Sequence, residues 1–407
     1  MSKIVIVYGS GASHDSGFEI SYPGKGGLSY YPPPTDRNFF EHEGVKLVYE
    51  NENDFFAIKK FREWLLPYKN NISLEELWTA VDLNHKHVVL NTYEWFHENE
   101  QYRLECLIHG KSSYPFSDVI STTLISGEAG NFAVMNMEPT YSKLKFLGDC
   151  GRDLKKLIDR TLASLNLAYK IETNYEKLHK LILGHGHLIT GYITFNYDLT
   201  LEEALRNLKI KPRYLAVNDD IDNPYFINSF SGEALVLKLH GSLNWKIESG
   251  CHDIEFYGHA VGPRYPTNSL FANTFTEPAI VPPTIFKQEI NDDSRLADPL
   301  TRLLINQWRG AIQLLKEADK VIIIGYSFPP TDYHVQRIFQ IPSMFRRGAI
   351  EQKVLVCLGT QVNADDELKK KNSIAEIFQI KPESAVIDYK FSNLINSPKL
   401  DSFLTAY

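Results

Sequence analysis

Four apolar stretches of the sequence end in glycines or polar residues that could do chemistry together, and the first ends in a glycine-rich loop. After the apolar run at residues 4–8 come Gly9, Gly11, Ala12 and Ser13. Small residues here let backbone amides and the amino end of a following helix approach an anion such as a phosphate. A tight strand-to-helix turn is the alternative interpretation. Glycine recurs only at Gly17, which does not give the GxGxxG spacing of a dehydrogenase.

The second stretch, at residues 192–195, ends in Asn196-Tyr197-Asp198. A carboxamide at the end of a strand can hold a sugar hydroxyl, a carboxamide ligand or a water molecule, so we interpret Asn196 as functional. Asp198 has two equal interpretations, a ligand contact or the cap of the next helix. Thr200 and Glu203 also have capping-box spacing.

The third and fourth stretches end in a histidine and in a glycine-serine pair. LVLKLH ends at His240, and Gly241 follows at once. A neutral imidazole here could act as a general base near pH 7, although a satisfied core histidine is the usual alternative. Gly325 would allow close approach of a ligand, and the hydroxyl of Ser327 could bind phosphate or ribose. The alternative for this last pair is a plain turn closed by the two prolines that follow.

Strands and helices must position these four segments. Apolar strands alternate with amphipathic helices, which predicts an α/β fold with a doubly wound, Rossmann-like parallel sheet. Ligands of such sheets bind beyond the carboxyl ends of the strands, so the four segments should converge on one pocket. We predict a sheet domain at residues 1–50 and 185–380. Helical patterns, including a capping box at Ser73 and Glu76, predict an inserted helical subdomain at 51–184, and 381–407 are expected to form a tail.

Composition narrows the class of protein. The chain has 407 residues and a net charge of -7, which argues against a protein that coats nucleic acid, and we expect no direct nucleic-acid binding. No apolar segment approaches the length of a membrane span. Four cysteines lie far apart with no paired CxxC spacing: Cys106, Cys150, Cys251 and Cys357. We therefore expect a reduced, cytoplasmic protein without zinc.

Together the four segments resemble the signature motifs of the sirtuin family. GSGAS, TFNYD, LHGS and IGYS correspond in order to its glycine loop and to its asparagine-aspartate, histidine-glycine and glycine-serine motifs. The longer strings LKLHGSLNW, PAIVPPTIFK and VIIIGYSFPPTD resemble bacterial sirtuin-like proteins of antiphage defence. The resemblance covers residues 1–45 and 185–360.

The resemblance implies that NAD+ binds in an inverted pose, with its nicotinamide in a deep pocket. Asn196 and Asp198 would face the nicotinamide ribose and carboxamide, and His240 a ribose hydroxyl or the attacking water. The other implied contacts are Gly9, Gly11, Ala12 and Ser13 at the phosphates, Gly325 and Ser327 at the adenosine side, and Thr35, Asp36 and Arg37 in the cofactor loop.

Two departures from the sirtuin pattern bear on the activity. The four-cysteine zinc ribbon of the deacetylases is absent from the sequence, and Phe195 replaces the glutamine before the asparagine. Both favour the defence-type members, which hydrolyse NAD+ to nicotinamide and ADP-ribose, with Asn196 and His240 as the catalytic pair. An NAD-dependent protein deacylase and a non-catalytic NAD or ADP-ribose sensor are the alternatives. The resemblance also implies a homo-oligomer with a HerA-type ATPase partner or, second, a short Argonaute-like protein.

Overall fold

The computed structural model describes well over half of the chain. The described residues are 1–24, 27–51, 55–65, 72–78, 80–81, 139–162, 172–216, 219, 232–248, 254–257, 276–281, 299–328, 335–336, 338–339, 354–358, 364–378, 386–387 and 390–406. Cys106, Cys251 and most of the predicted helical subdomain lie outside these ranges.

The described strands and helices alternate along much of the chain. The strands are β1 Lys3–Tyr8, β2 Ile20–Gly24, β3 Gly27–Tyr31, β4 Leu188–Thr194, β5 Lys211–Arg213, β6 Glu233–Lys238, β7 Gly241–Glu248, β8 Ile254–Phe256, β9 Thr276–Ile280, β10 Lys320–Ile324, β11 Val354–Cys357 and β12 Val386–Ile387. The α-helices are α1 Ser10–His14, α2 Glu43–Asn51, α3 Phe56–Leu65, α4 Pro139–Leu162, α5 Asn174–Gly184, α6 Thr200–Asn207, α7 Pro299–Glu317, α8 Ala364–Phe378, α9 Phe391–Leu394 and α10 Pro398–Thr405. Phe39–Glu41 form a 3₁₀ turn, and residues 74–78 are helical.

The predicted parallel sheet is confirmed. Seven strands lie in the order β12-β11-β10-β1-β4-β6-β5, and every neighbouring pair is parallel. From the central β1 the chain adds β4 and β6 on one side and later β10, β11 and β12 on the other. The order therefore reverses at β1, where a doubly wound sheet opens a crevice beyond its carboxyl ends.

Helices cover both faces of this sheet, as the continuous apolar strands predict. Alternate residues of β1 point to opposite faces, so Val5 and Val7 pack with helices α7 and α8. Ile4 and Ile6 pack on the other face with α5, α6 and the C-terminal helices. The register of each strand matters, because a slip of one residue would move all side chains of that strand to the opposite faces of the sheet.

A second, antiparallel sheet follows the histidine segment. It has the order β8-β7-β9, and β7 begins at Gly241, shortly after β6 ends at Lys238. His240 therefore lies in a short link between a parallel strand and an antiparallel one. The sequence indicates a loop-rich section around residues 276–280, whereas these residues form β9 against β7. Pairing between segments so far apart in the chain leaves no local signal in the sequence.

The helical region packs on a further apolar cluster, which also includes Tyr197, Leu243 and Ile280. Helices α2, α3 and α4 bury an apolar cluster together with the hairpin β2–β3. The predicted capping box at the start of the 74–78 helix is present, because Ser73 Oγ accepts from Glu76 N and Glu76 Oε2 accepts from Ser73 N (both 3.1 Å). Helix α5, placed by the sequence in the helical subdomain, packs instead against the parallel sheet.

The C-terminal segment, predicted to be a tail, forms helices α9 and α10 that pack on the parallel sheet. Phe391 and Leu404 are buried beside β1 residues. Lys320, the first residue of β10, donates its ammonium hydrogens to the carbonyls of Phe403, Leu404 and Ala406 at 2.8, 2.9 and 2.6 Å. These bonds hold the carboxyl end of α10 at the edge of the sheet opposite the predicted pocket. Within the described residues, no helix is long and apolar enough to cross a membrane.

Candidate functional site at the sheet edge

The order of the strands places the four segments side by side. Strands β10, β1, β4 and β6 are consecutive neighbours, and they end at Ile324, Tyr8, Thr194 and Lys238. Backbone bonds continue past the strand ends: Gly9 N donates to Ile324 O (2.9 Å), and the amide of Leu239 donates to Thr194 O (3.0 Å). The segments therefore lie in one row along one edge of the sheet.

The two glycine segments touch each other through their backbones. Gly11 N donates to Gly325 O at 3.1 Å, and a Cβ built on Gly9 would lie 2.5 Å from that oxygen. Gly325 has φ +67, and a Cβ there would lie 2.1 Å from Ala12 N. Because the amides of Gly9, Gly11 and Ala12 all donate to protein carbonyls, close packing of two loops explains these glycines. In this structure the three amides are not free to bind an anion.

Gly325→Ala should therefore destabilise the protein by more than a positive φ alone does. Gly232→Ala is the matched control, since Gly232 has φ +80 but nothing lies within 4 Å of a Cβ placed on it. We expect about 1–2 kcal/mol of destabilisation at Gly232 from the left-handed backbone. At Gly325 we expect a larger loss, because the loops must also separate. Denaturant unfolding of both variants measures this, and equal losses would contradict the loop contact.

Asn196 is anchored by its side-chain nitrogen. Nδ2 donates to Gly9 O at 2.9 Å and to Ser13 Oγ at 2.8 Å, and the residue is 8% exposed. These bonds use both amide hydrogens and join the end of β4 to the loop after β1. Among the described residues, none donates a hydrogen bond to Asn196 Oδ1. The carboxamide is thus fixed in orientation, and its oxygen is the group that can accept from a ligand.

Asp198 bonds to the first residue of helix α6. Its Oδ1 accepts from Thr200 N at 3.0 Å and from Thr200 Oγ1 at 2.5 Å. The alternative capping box is not formed, because Glu203 pairs with Arg206 instead. The N-cap position itself is Leu199, so Asp198 binds the start of the helix from one residue earlier, and its contact with a ligand stays a prediction.

Ser13 lies in a buried network beneath the loop, which the sequence did not indicate. Its Oγ lies 3.0 Å from Thr200 Oγ1 and 3.2 Å from Tyr175 OH, and the residue is 1% exposed. Burial, with a smaller contribution from Asp198, raises the pKa of Tyr175, so its hydroxyl stays protonated. The Ser13 hydroxyl therefore holds Asn196 in place rather than facing solvent.

His240 is packed among aromatic side chains. Its ring lies edge-on to Phe195, with centroids 5.3 Å apart, and 6.3 Å from the Tyr197 ring. Phe195 in turn stacks on Tyr326 at 4.0 Å, which connects the segments after β4, β6 and β10. The histidine is 4% exposed. Its ring thus lies beside both neighbours of Asn196 in the sequence.

Gly241 lets the chain turn tightly from the parallel sheet into β7. Its φ is +83, and a Cβ there would lie 2.0 Å from Ala279 O, so the chain turns into β7 against β9 at this point. The amide of Val281 also donates to His240 O at 2.8 Å. The glycine is therefore required by the junction of the two sheets.

The predicted cofactor loop is held to the helical region. Asp36 Oδ1 accepts from Glu75 N at 2.8 Å, and Thr35 donates from both its amide and its hydroxyl to Asn38 Oδ1. Burial raises the pKa of the Asp36 carboxyl, partly opposed by the bond from Glu75 N. Arg37, the third residue of the predicted loop, is exposed. The carbonyl of residue 33, just before this loop, accepts from His14 Nδ1 at 2.8 Å, which joins it to the glycine segment.

The two residues predicted to lie at the adenosine side differ in their hydrogen bonding. Gly325 N donates to Cys357 O at 2.8 Å. Ser327 is partly exposed, and its hydroxyl has no hydrogen bond to the described residues. In the described part of the chain, no group of three or more His, Cys, Asp or Glu side chains could hold a metal ion.

A comparison with protein families matches a part of the chain that includes five of the seven parallel strands. Residues 190–375 match a SIR2-like domain. The match contains Asn196, Asp198, His240 and the Gly325 segment, whereas the glycine loop after β1 lies before it. No curated protein matches the chain.

Solved structures of Sir2 homologues also resemble the chain. One is described as a Sir2 homolog–NAD complex, with 14% identity, a TM-score of 0.35, and coverage of 64% of this chain and 73% of that one. Another is a point mutant of a Sir2 homologue in complex with ADP-ribose, with 15% identity, a TM-score of 0.34, and coverage of 64% and 75%.

Proposed function

We propose that the SIR2-like region binds NAD+ beyond the carboxyl ends of β1, β4, β6 and β10 and hydrolyses its nicotinamide–ribose bond. The observation that carries the proposal is the placement of Asn196 and His240 after adjacent parallel strands, beside the glycine segment of β1. The match of residues 190–375 to a SIR2-like domain supports it. So does the resemblance of the motifs to NAD+-hydrolysing defence proteins.

The reaction breaks one bond and forms one. The bond between ribose C1′ and the nicotinamide nitrogen breaks, and its electron pair leaves with neutral nicotinamide. The ribose centre becomes oxocarbenium-like, as in glycoside cleavage, and a water oxygen then bonds to C1′. The products are nicotinamide, ADP-ribose and one proton.

Two side chains would act on this path. Asn196 Oδ1 would accept a hydrogen bond from the water or from a ribose hydroxyl, since its Nδ2 is already held by Gly9 and Ser13. His240 would accept the proton that the water loses. The aromatic side chains around His240 would help to exclude bulk water from the reacting centre.

The test is to incubate the purified chain with NAD+ and resolve nicotinamide, ADP-ribose and cyclic ADP-ribose, with and without an acetyl-lysine peptide. Nicotinamide with ADP-ribose, formed without peptide, is the expected result. Release that requires the peptide would instead select the deacylase. Tight NAD+ binding by calorimetry with no turnover would select a sensor.

We further propose that the activity depletes NAD+ in antiphage defence. This rests on the resemblance of LKLHGSLNW and VIIIGYSFPPTD to the defence proteins. A homo-oligomer and a HerA-type ATPase partner, or a short Argonaute-like protein as the alternative, belong to the same proposal. Light scattering of the chain alone, and NAD+ turnover with each partner added, would test them. A monomer whose turnover neither partner alters would contradict this part.

A further inference from the structure

A buried ion pair lies beneath the segment that carries Asn196. Lys238 Nζ lies 2.9 Å from Glu202 Oε1, and both side chains are 0% exposed. Lys238 is the last residue of β6, and Glu202 lies in the first turn of α6. A fully buried pair of this kind contributes little net stability, because removing two charges from water offsets their attraction. Net stability therefore does not explain why the pair is buried here.

The hydrogen bonds of the lysine give that reason. Lys238 Nζ also donates to Asp198 O at 2.6 Å and to Tyr197 O at 3.5 Å. These are the carbonyls of the two residues that follow Asn196. An ammonium group has three hydrogens, and here they are directed at one carboxylate and two main-chain oxygens of the same turn.

The glutamate connects this turn to the antiparallel sheet. Glu202 Oε1 also accepts from Tyr214 OH at 3.0 Å, and Asn244 Nδ2 donates to Tyr214 OH at 3.0 Å. Asn244 lies in β7, the strand that begins directly after His240. The pair therefore bonds directly to the turn after Asn196 and is connected through Tyr214 to the strand after His240.

We propose that Lys238 and Glu202 are positioning residues, which fix the main chain on both sides of the Asn196–His240 pair and do not themselves contact substrate. The proposal deepens the proposed function, on which its activity readout rests. Because the pair acts through the backbone, its loss should change the rate of the chemical step more than the affinity for NAD+.

The test uses the double variant Lys238→Met, Glu202→Gln. Each change keeps the volume of the side chain, and together they leave no unpaired buried charge, so the double variant should fold. The single variant Lys238→Met would leave the Glu202 carboxylate buried without its cation and is expected to unfold more readily. We expect the double variant to lose about 100-fold in kcat, the effect of a misplacement of about 1 Å, with KM little changed.

Lys320→Met is the matched control. Lys320 is a second buried lysine that donates to three main-chain carbonyls, but at the opposite edge of the sheet. Its loss should lower the Tm and leave kcat unchanged. If the double variant has the Tm of the wild type but a reduced kcat, its loss of activity comes from positioning and not from lost stability.

Amide hydrogen exchange gives a readout that needs no activity. We expect faster exchange in a peptide covering residues 195–201 of the double variant, with the β1 peptide unchanged. Wild-type exchange in that peptide, together with wild-type kcat, would overturn the proposal. If the wild type cleaves no NAD+, the proposed function fails, and the exchange measurement alone then decides whether the pair positions the turn.

Discussion

Replacing His240 with alanine is expected to lower the rate of NAD+ cleavage by about 100- to 10,000-fold, the range found when a general base is removed. The imidazole lies after β6, beside the rings of Phe195 and Tyr197. We expect it to accept the proton of the attacking water in the proposed reaction. The initial rate of nicotinamide release at saturating NAD+ measures this effect.

The control for His240→Ala is His185→Ala. His185 caps the carboxyl end of α5, just before β4 begins. It therefore lies at the amino end of β4, whereas the proposed site lies beyond the carboxyl end. Its variant should cleave NAD+ at the wild-type rate. The circular dichroism and Tm of both variants show whether each is folded. A folded His240→Ala variant with normal turnover would show that the histidine is not the proton acceptor of the reaction.

Asn196→Ala is expected to lower turnover by about 100- to 1,000-fold, as removal of one preorganised polar contact to a reacting centre does. The variant loses the Oδ1 acceptor and both anchoring donations. It should still fold, because Gly9 O keeps the bond from Ala12 N, and Ser13 Oγ keeps the Thr200 hydroxyl as a neighbour. Two lost hydrogen bonds would cost about 1–3 kcal/mol of stability.

Asn207→Ala is the matched control for this change. Asn207 ends helix α6, and its Nδ2 donates to Glu176 Oε1 at 3.1 Å. The control should lose some stability and no activity. Calorimetry with NAD+ on Asn196→Ala distinguishes the two proposed partners of Oδ1. Preserved affinity with lost turnover would indicate that Asn196 binds the attacking water. Lost affinity would indicate that it binds a ribose hydroxyl. Preserved turnover would contradict both roles.

Several contacts could be foreseen in part from local sequence. The capping box of Ser73 and Glu76 forms as its sequence context indicates. Lys238 carries a further signal, since a single charge inside the apolar run LVLKLH must find a buried partner. Which partner it finds cannot be read locally, because Glu202 is 36 residues away.

The sequence alone determined the parallel sheet and which segments follow the carboxyl ends of its strands. Continuous apolar strands alternating with helices leave few other folds, and parallel strands bring their carboxyl ends to the same side. The tertiary structure decided which polar groups at that edge remain available. It directs the Ser13 hydroxyl and Asn196 Nδ2 into internal bonds, and it packs Gly9 against Gly325. These outcomes depend on strand order and register, which join residues far apart in the chain and so leave no pattern within any one segment.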